Sequence, residues 1–228
     1  MKRTLVTSDI HGEITAFENI LKLADYNPEK DQLILLGDYV DRGPNSKAVL
    51  EKVIELKETG AIVLRGNHDD MMVAAADGQD GAWERWERNG AIFTLKSYDS
   101  TIDSMQLPDS ELFSAHVDFI KQLDYYYETD THIFVHAGVV PGQPIAETDP
   151  HDLVWIRDAF HRGYEGEKTV VFGHTPTAAL NQSGNYDVYY GNNRIIGIDG
   201  GCVFGGQLNC LDLNSGKVYT SKGMFGKK

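Results

Sequence analysis

Residues 32–43 read QLILLGDYVDRG, an apolar run that stops abruptly at Gly37-Asp38, with a second carboxylate and an arginine close behind. Unbroken hydrophobicity over so short a run suits a strand buried on both faces. The glycine allows a backbone turn that leaves the polar side chains standing at the strand end. Four other segments follow the same plan: TLVTSD at 4–9, AIVLRGN at 61–67, HIFVH at 132–136 and TVVFGH at 169–174. Between the first and second, Ile14, Phe17, Ile20 and Leu21 fall on one helical stripe; Val49, Leu50, Val53 and Ile54 form another. Asn45 or Ser46 can cap the second helix and Gly60 can end it. The order β-α-β-α-β through residue 67 therefore predicts a buried, largely parallel start to an α/β fold.

The rest of the chain follows other rules. Residues 71–130 carry helical apolar spacing, Trp83, Trp86 and many carboxylates, and predict a mostly helical insertion packed beside the first sheet. Both tryptophans and the run Tyr125-Tyr126-Tyr127 read as core, with a substrate platform as the alternative. From about residue 185 the pattern shortens to DVYY-GNN-RIIGID and QLNCLDL-NSG-KVYTS, two hairpins with Asn- and Gly-containing turns. No repeat, linker or low-complexity tract interrupts the 228 residues, so one domain over 1–228 is expected. Gly200-Gly201 and Gly205-Gly206 precede no helix start and read as hairpin and bulge glycines.

Composition narrows the partners. Twenty-one Lys+Arg against 34 Asp+Glu give a formal charge of −13, which argues against nucleic acid and against a membrane surface. Cys202 and Cys210 are too few for a disulfide framework and lack C-x-x-C spacing; they read as small apolar strand residues in a reducing compartment. No leader-like or membrane-length apolar run is present, and a cytoplasmic location is expected.

The strand ends carry the chemistry. They are Asp9-Ile10-His11-Gly12, Gly37-Asp38 through Asp41-Arg42-Gly43, Gly66-Asn67-His68-Asp69, His136-Ala137-Gly138 and Gly173-His174-Thr175. In open α/β folds, sites assemble where strand C-termini meet the following loops. Carboxylate, imidazole and amide oxygen are together the ligand set of Zn, Mn or Fe. Any one of these pieces is commonplace. Five of them, each closing an apolar strand, are not. The remaining histidines, His116, His132, His151 and His161, lack this context and read as structural or solvated.

The whole set resembles the phosphoprotein phosphatase branch of the calcineurin-like metallophosphoesterases. Arg65-Gly66-Asn67-His68 followed by Met71-Met72, and Leu153-Val154-Trp155-Ile156-Arg157, are similar to the small bacterial and phage (lambda-type) serine/threonine phosphatases. The resemblance implies a β-sandwich of two mixed sheets flanked by helices. It also implies two divalent metal ions, Mn preferred over Fe, Zn or Ni. One would be held by Asp9, His11 and Asp38, the other by Asp38, Asn67, His136 and His174, so that Asp38 bridges them. Two metals about 3.5–4 Å apart can share a hydroxide that attacks phosphorus in line. With a neutral Asn67 the core stays positive, so a compact phosphate is attracted despite the acidic chain. Arg42, on the Asp38 loop, and Arg157 are expected to clamp phosphate oxygens. His68, beside Asn67, is expected to protonate the leaving group while Asp41 accepts its other N–H; the alternative makes His68 a seventh ligand.

Three positions depart from the family pattern. Ser8 stands where the first block usually has Gly. Asp69 stands where protein-directed members carry Glu, and Gly-Asn-His-Asp is shared with diadenosine tetraphosphatases. Pro176 occupies the place of a second His found in diesterases. The expected activity is therefore hydrolysis of phosphomonoesters, foremost phosphoserine or phosphothreonine in a protein, or a small phosphorylated substrate. Symmetrical hydrolysis of diadenosine tetraphosphate at the same site is the alternative. A phosphate-dependent binding module without turnover is the non-enzyme reading.

Overall fold

The computed structural model describes residues 2–224. In chain order it contains β1 (Arg3–Thr7), α1 (Ile14–Leu23), β2 (Asp31–Leu35), α2 (Ser46–Glu58), β3 (Ile62–Val63), α3 (Asn67–Ala76), α4 (Ala82–Glu87), α5 (Ala91–Tyr98) and α6 (Glu111–Lys121). Then come β4 (Tyr126–Glu128), β5 (His132–Val135), α7 (Pro150–Trp155), α8 (Asp158–Gly163), β6 (Thr169–Phe172), β7 (Tyr189–Tyr190), β8 (Ile195–Gly197), β9 (Leu208–Asp212) and β10 (Val218–Ser221). Two mixed five-stranded sheets result, ordered β10-β9-β1-β2-β3 and β4-β5-β6-β8-β7. The expected parallel start is present: β1 pairs in parallel with β2, and β2 with β3.

The apolar strands are continuous because each sheet is covered twice. Successive side chains of a strand point to opposite faces. Leu5, Leu33 and Leu35 face the helices of the first sheet, while Val6, Ile34 and Leu36 face the other way. In the second sheet, Val135, Val170 and Phe172 face α8 and its surroundings, while Phe134 and Val171 meet Val6 and Ile34 between the sheets. Each fully buried side chain of this kind contributes about 1.5–3 kcal/mol relative to exposure. A polar substitution on either face therefore disrupts a core.

The helices follow their stripes with small shifts. Phe17, Ile20 and Leu21 are buried in α1, and Val49, Leu50 and Val53 in α2, where Leu56 is buried and Ile54 only half-buried. Of the two capping candidates Asn45 acts, its side chain accepting from the Ala48 amide at 3.0 Å. The strand expected over 61–67 is shorter, because Asn67 already begins α3. Arg65 instead donates its amide to the Asp124 carbonyl at 2.9 Å, which draws the chain off the sheet edge. The helical region 71–130 is real through α6 but closes in β4, an edge strand antiparallel to β5. The tyrosine run is accordingly not core: Tyr127 is exposed and Tyr125 half-buried. Cys210 lies in β9, whereas Cys202 opens a one-turn 3-10 segment rather than a strand. Around that segment Gly201 and Gly205 both take left-handed backbone, closing a loop by Gly206 N–H to the Gly201 carbonyl at 3.0 Å.

Within the helical region, α5 and α6 are joined by Tyr98, whose hydroxyl meets His116 Nδ1 at 2.5 Å. Burial, with a smaller push from Lys47, lowers His116 to about 4. The unfolded imidazole titrates near about 6.5. A lowered folded value means that the unfolded chain takes up the proton first as pH falls. Stability is therefore full above about pH 6.5 and drains away down to about pH 4. His116→Gln should lose less stability than the parent between about pH 7 and about pH 5, measured by urea unfolding at each pH. Parallel losses in the two proteins would contradict this.

Candidate active site

The strand-end groups converge at one edge of the interface between the sheets. Asp9, His11 and Asp38 come from the loops after β1 and β2, and Asn67 and His68 from the first residues of α3. His136 and His174 follow β5 and β6. All seven are buried. Among the described residues, two clusters of potential ligand atoms form, each within 4.8 Å: His11, Asp38 and His68, and Asp38, His136 and His174. Asp38 belongs to both. Asp9 is in neither cluster; its carboxylate accepts the His174 backbone amide at 3.0 Å, beneath the second one.

Backbone geometry singles out the same residues. Eight described non-glycine residues have positive φ, and six are Asp9, His11, Asp38, Asp41, Arg42 and His174. Each such conformation costs about 1–3 kcal/mol and persists only where the surroundings enforce it. The glycines contribute space rather than flexibility at two points. A Cβ on Gly66 would overlap Asp38 Oδ1, and one on Gly173 would overlap Asp9 Oδ2. Asp69 fixes the loop from below: its carboxylate accepts the amides of Asp38 at 2.8 Å, Tyr39 at 3.0 Å and Gly66 at 2.9 Å.

The donor set calls for positive charge. His136 Nδ1 lies 2.9 Å from the Leu36 carbonyl, so this nitrogen carries the proton. Its Nε2 then faces Asn67 Oδ1 at 2.9 Å and Asp38 Oδ1 at 3.5 Å, an arrangement of acceptors alone unless a proton or a cation stands between them. His11 repeats the logic, with Nδ1 on the Val40 carbonyl at 2.7 Å and Nε2 toward Asp38 Oδ2 at 3.5 Å. Burial pushes His136 down, but Asp38, Asp9 and Asp69 outweigh it and lift it to about 9. Burial likewise opposes ionisation of Asp38, yet His136, His68 and His11 hold it well below the usual carboxylate range. His11 is kept far below its ordinary value by burial and then by His68 and Arg42, as a neutral ligand requires. Together these residues form a dinuclear metal-binding site of His and Asp donors.

Both expected arginines reach this site. Arg42 Nη1 is 3.0 Å from His11 Nε2, with its guanidinium 5.1 Å from the Phe204 ring centre. Arg157 Nε donates to His174 Nε2 at 3.0 Å. His68 Nδ1 donates to Asp41 Oδ2 at 2.6 Å, which leaves Nε2 as its free end. Asp41 is wholly buried, and its carboxylate also accepts from Trp86 Nε1 at 2.9 Å and Thr94 Oγ1 at 2.7 Å.

Sequence reasoning missed Trp86 and Thr94 in this setting, because nothing in a 3.6-residue periodicity reports a contact 45 or 53 positions away. It also missed Asp199. That buried carboxylate follows β8, and burial and then Asp9 raise it well above its ordinary range. The signal is present: RIIGID-Gly-Gly is a sixth apolar run ending in a glycine-flanked carboxylate, masked by its hairpin pattern. The four other histidines lie outside both clusters, although His151 stacks on Trp155 at the edge of the site.

Comparison with known proteins agrees with this architecture. The chain is 28% identical to an asymmetrical bis(5'-nucleosyl)-tetraphosphatase of Anoxybacillus flavithermus, over 90% of this chain and 88% of that one. It is 30% identical to serine/threonine-protein phosphatase 1 of Salmonella typhimurium, over 89% and 88%. A solved structure provisionally described as a diadenosine tetraphosphatase superposes with a TM-score of 0.72 at 21% identity, covering 97% of this chain and 94% of that one, a likeness of fold. The sequence profile of the calcineurin-like phosphoesterases matches residues 2–206, which carry every group described above. A profile match of that extent, laid over a dinuclear site built between two mixed sheets, makes this chain a metal-dependent hydrolase of the calcineurin-like phosphoesterase family.

Proposed function

We propose that the enzyme hydrolyses the polyphosphate bridge of a dinucleoside tetraphosphate. The observation that carries the phosphoryl chemistry is Asp38, shared between two ligand clusters with an arginine reaching each of them. The choice of an anhydride substrate is supported by the tetraphosphatase relative, which this chain matches almost end to end, and by Asp69 in Gly-Asn-His-Asp. A second reading, a phosphoserine/phosphothreonine protein phosphatase of the phosphoprotein phosphatase branch, is favoured by the Salmonella relative.

In this proposal Asp9, His11 and Asp38 hold one divalent ion, and Asp38, Asn67, His136 and His174 hold a second. An all-oxygen-and-nitrogen set of this kind suits Mn and also accepts Fe, Zn or Ni. When bound, such a pair acidifies water and polarises phosphoryl oxygens. Arg42 and Arg157 turn from the imidazoles they touch to the equatorial oxygens of the phosphoryl group, where planar forks match the developing charge. His68 presents Nε2 to the departing oxygen while Asp41 holds the ring in one tautomer.

Parallel kcat/KM measurements on diadenosine tetraphosphate and a phosphoserine peptide test the proposal, with chromatography of the nucleotides to establish the cleavage position. Preference for the dinucleotide is expected; preference for the peptide would select the second reading.

The donors behind Asp41 add a further expectation. Thr94→Val removes one hydrogen bond to its carboxylate with little change of shape, and Trp86→Phe removes another. On a phosphoserine peptide each should lower kcat/KM about 10–100-fold, the usual effect of a supporting hydrogen bond, with metal content unchanged. The loss should be greatest for substrates with basic leaving groups. A uniform loss across leaving groups would remove the link to His68.

A further inference from the structure

Beside the metal site lies a cleft of about 290 Å³ whose walls come from α3, α4, α7 and the residues just before β4. We propose that it is a nucleoside subsite, seating one base and its ribose while the phosphates run toward Asp38. The proposal rests on the dinucleoside reading above and adds where the substrate is recognised.

Three observations point to this occupant. First, the cleft is one aromatic ring away from the chemistry. Trp155 lines it and packs edge-on against the His174 imidazole, with ring centres 5.8 Å apart. Second, its walls are flat. His151 stacks on Trp155, at 23° and 6.0 Å between ring centres, so two nearly parallel ring planes stand together there. Also lining the cleft, the Arg65 guanidinium sits 5.4 Å from the Tyr125 ring centre. Asp70 fixes that second surface by accepting from the Tyr125 hydroxyl at 3.2 Å and pairing with Arg65. Aromatic and guanidinium planes held in advance are what a nucleobase stacks on. Third, Gln79 and Asp80 stand on the rim, exposed, and offer the amide and carboxylate groups that read a base edge.

A phosphopeptide fits these features less well. Several residues flanking a phosphoserine need an extended groove, and this cleft is compact and mostly polar. The size matches a single nucleoside, at the small end of ligand pockets.

The test uses the metal-loaded protein and two probes that differ only by the base, AMP and ribose 5-phosphate, titrated by calorimetry. AMP should bind about tenfold or more tightly than ribose 5-phosphate, the increment of one stacked base. Tyr125→Ala and His151→Ala should each shrink that ratio severalfold. Tyr125→Phe, which keeps the ring, should retain most of it, so loss of stacking is separable from a local collapse. Equal affinities for the two probes, or a ratio that survives both alanine variants, would overturn the subsite. So would a phosphoserine peptide that binds more tightly than AMP and is lost in the same variants. The subsite and the function fail separately. Turnover of diadenosine tetraphosphate without base-dependent binding removes the subsite alone, while base-dependent binding without that turnover removes the proposed reaction alone.

Discussion

Asp38→Ala is expected to abolish turnover and metal retention in one step, lowering kcat/KM by more than about 10⁴-fold, the upper end of what one positioned group supplies. Asp38 is the only residue common to both clusters, with His11 at 3.5 Å from one carboxylate oxygen and His136 at 3.5 Å from the other. The same carboxylate accepts the His68 amide at 2.9 Å and so helps start α3. Its removal takes from His11 and His136 the carboxylate oxygen that each faces. Elemental analysis after dialysis checks the outcome. Two metal ions retained per chain would refute the bridging role. Because position 38 has φ near 60°, where alanine is itself strained, Asp38→Gly provides a control for folding. Circular dichroism should show both variants folded. Both should melt earlier than metal-loaded parent enzyme, since a ligand present at about a thousand times its Kd adds about 4 kcal/mol to the folded state.

His68→Ala should behave differently: metal stays, and the damage follows the leaving group. Its imidazole is tied to Asp41 through Nδ1 and touches the His11 ring edge-on at 4.7 Å, so truncation removes a proton donor without removing a shared ligand. Serine leaves as a strongly basic alkoxide, and about 10²–10⁴-fold should be lost on phosphoserine. A nucleotide leaves through a phosphate that ionises near about pH 6 and needs little help. Turnover of diadenosine tetraphosphate should therefore fall far less. Equal losses on the two substrates would exclude the acid role, and loss of metal in this variant would make His68 a ligand. The same pair of assays thus reports on the residue and on the substrate class.

The legible part of this molecule was the part written locally. The apolar runs closed by Asp9, Asp38, His136 and His174 announce both the strand and the group it delivers, because a doubly covered strand must be apolar until it leaves the sheet. The two helical stripes near the start were equally readable. What escaped was set by distance along the chain. Trp86 and Thr94 look like ordinary core residues of two short helices, and only folding shows that their polar atoms meet on Asp41. The segment at 61–67 has strand composition, yet Gly66 and Asp69 start a helix there by pairing Asp69 with the Gly66 amide. Asp199 was hidden by its surroundings: a hairpin-like arm whose strand β8 turned out to run parallel to β6. Tyr125, read as core, ended half-buried on the cleft wall because β4 is an edge.

The proposed ligands divide between the sheets, and this has a consequence for how the protein is made and how it wears. Residues up to 67 deliver Asp9, His11, Asp38 and Asn67; His136 and His174 arrive only with the second sheet. A nascent chain halted between them carries all three proposed ligands of the first ion but only Asp38 and Asn67 of the four proposed for the second. Capture of the second metal therefore reports that the two sheets have docked. The centre of the docking surface is an apolar cluster that includes Val6, Ile34, Phe134 and Val171. Residues without a single polar side-chain atom thus become determinants of metal affinity, and a screen for variants that leak metal should recover them alongside the histidines.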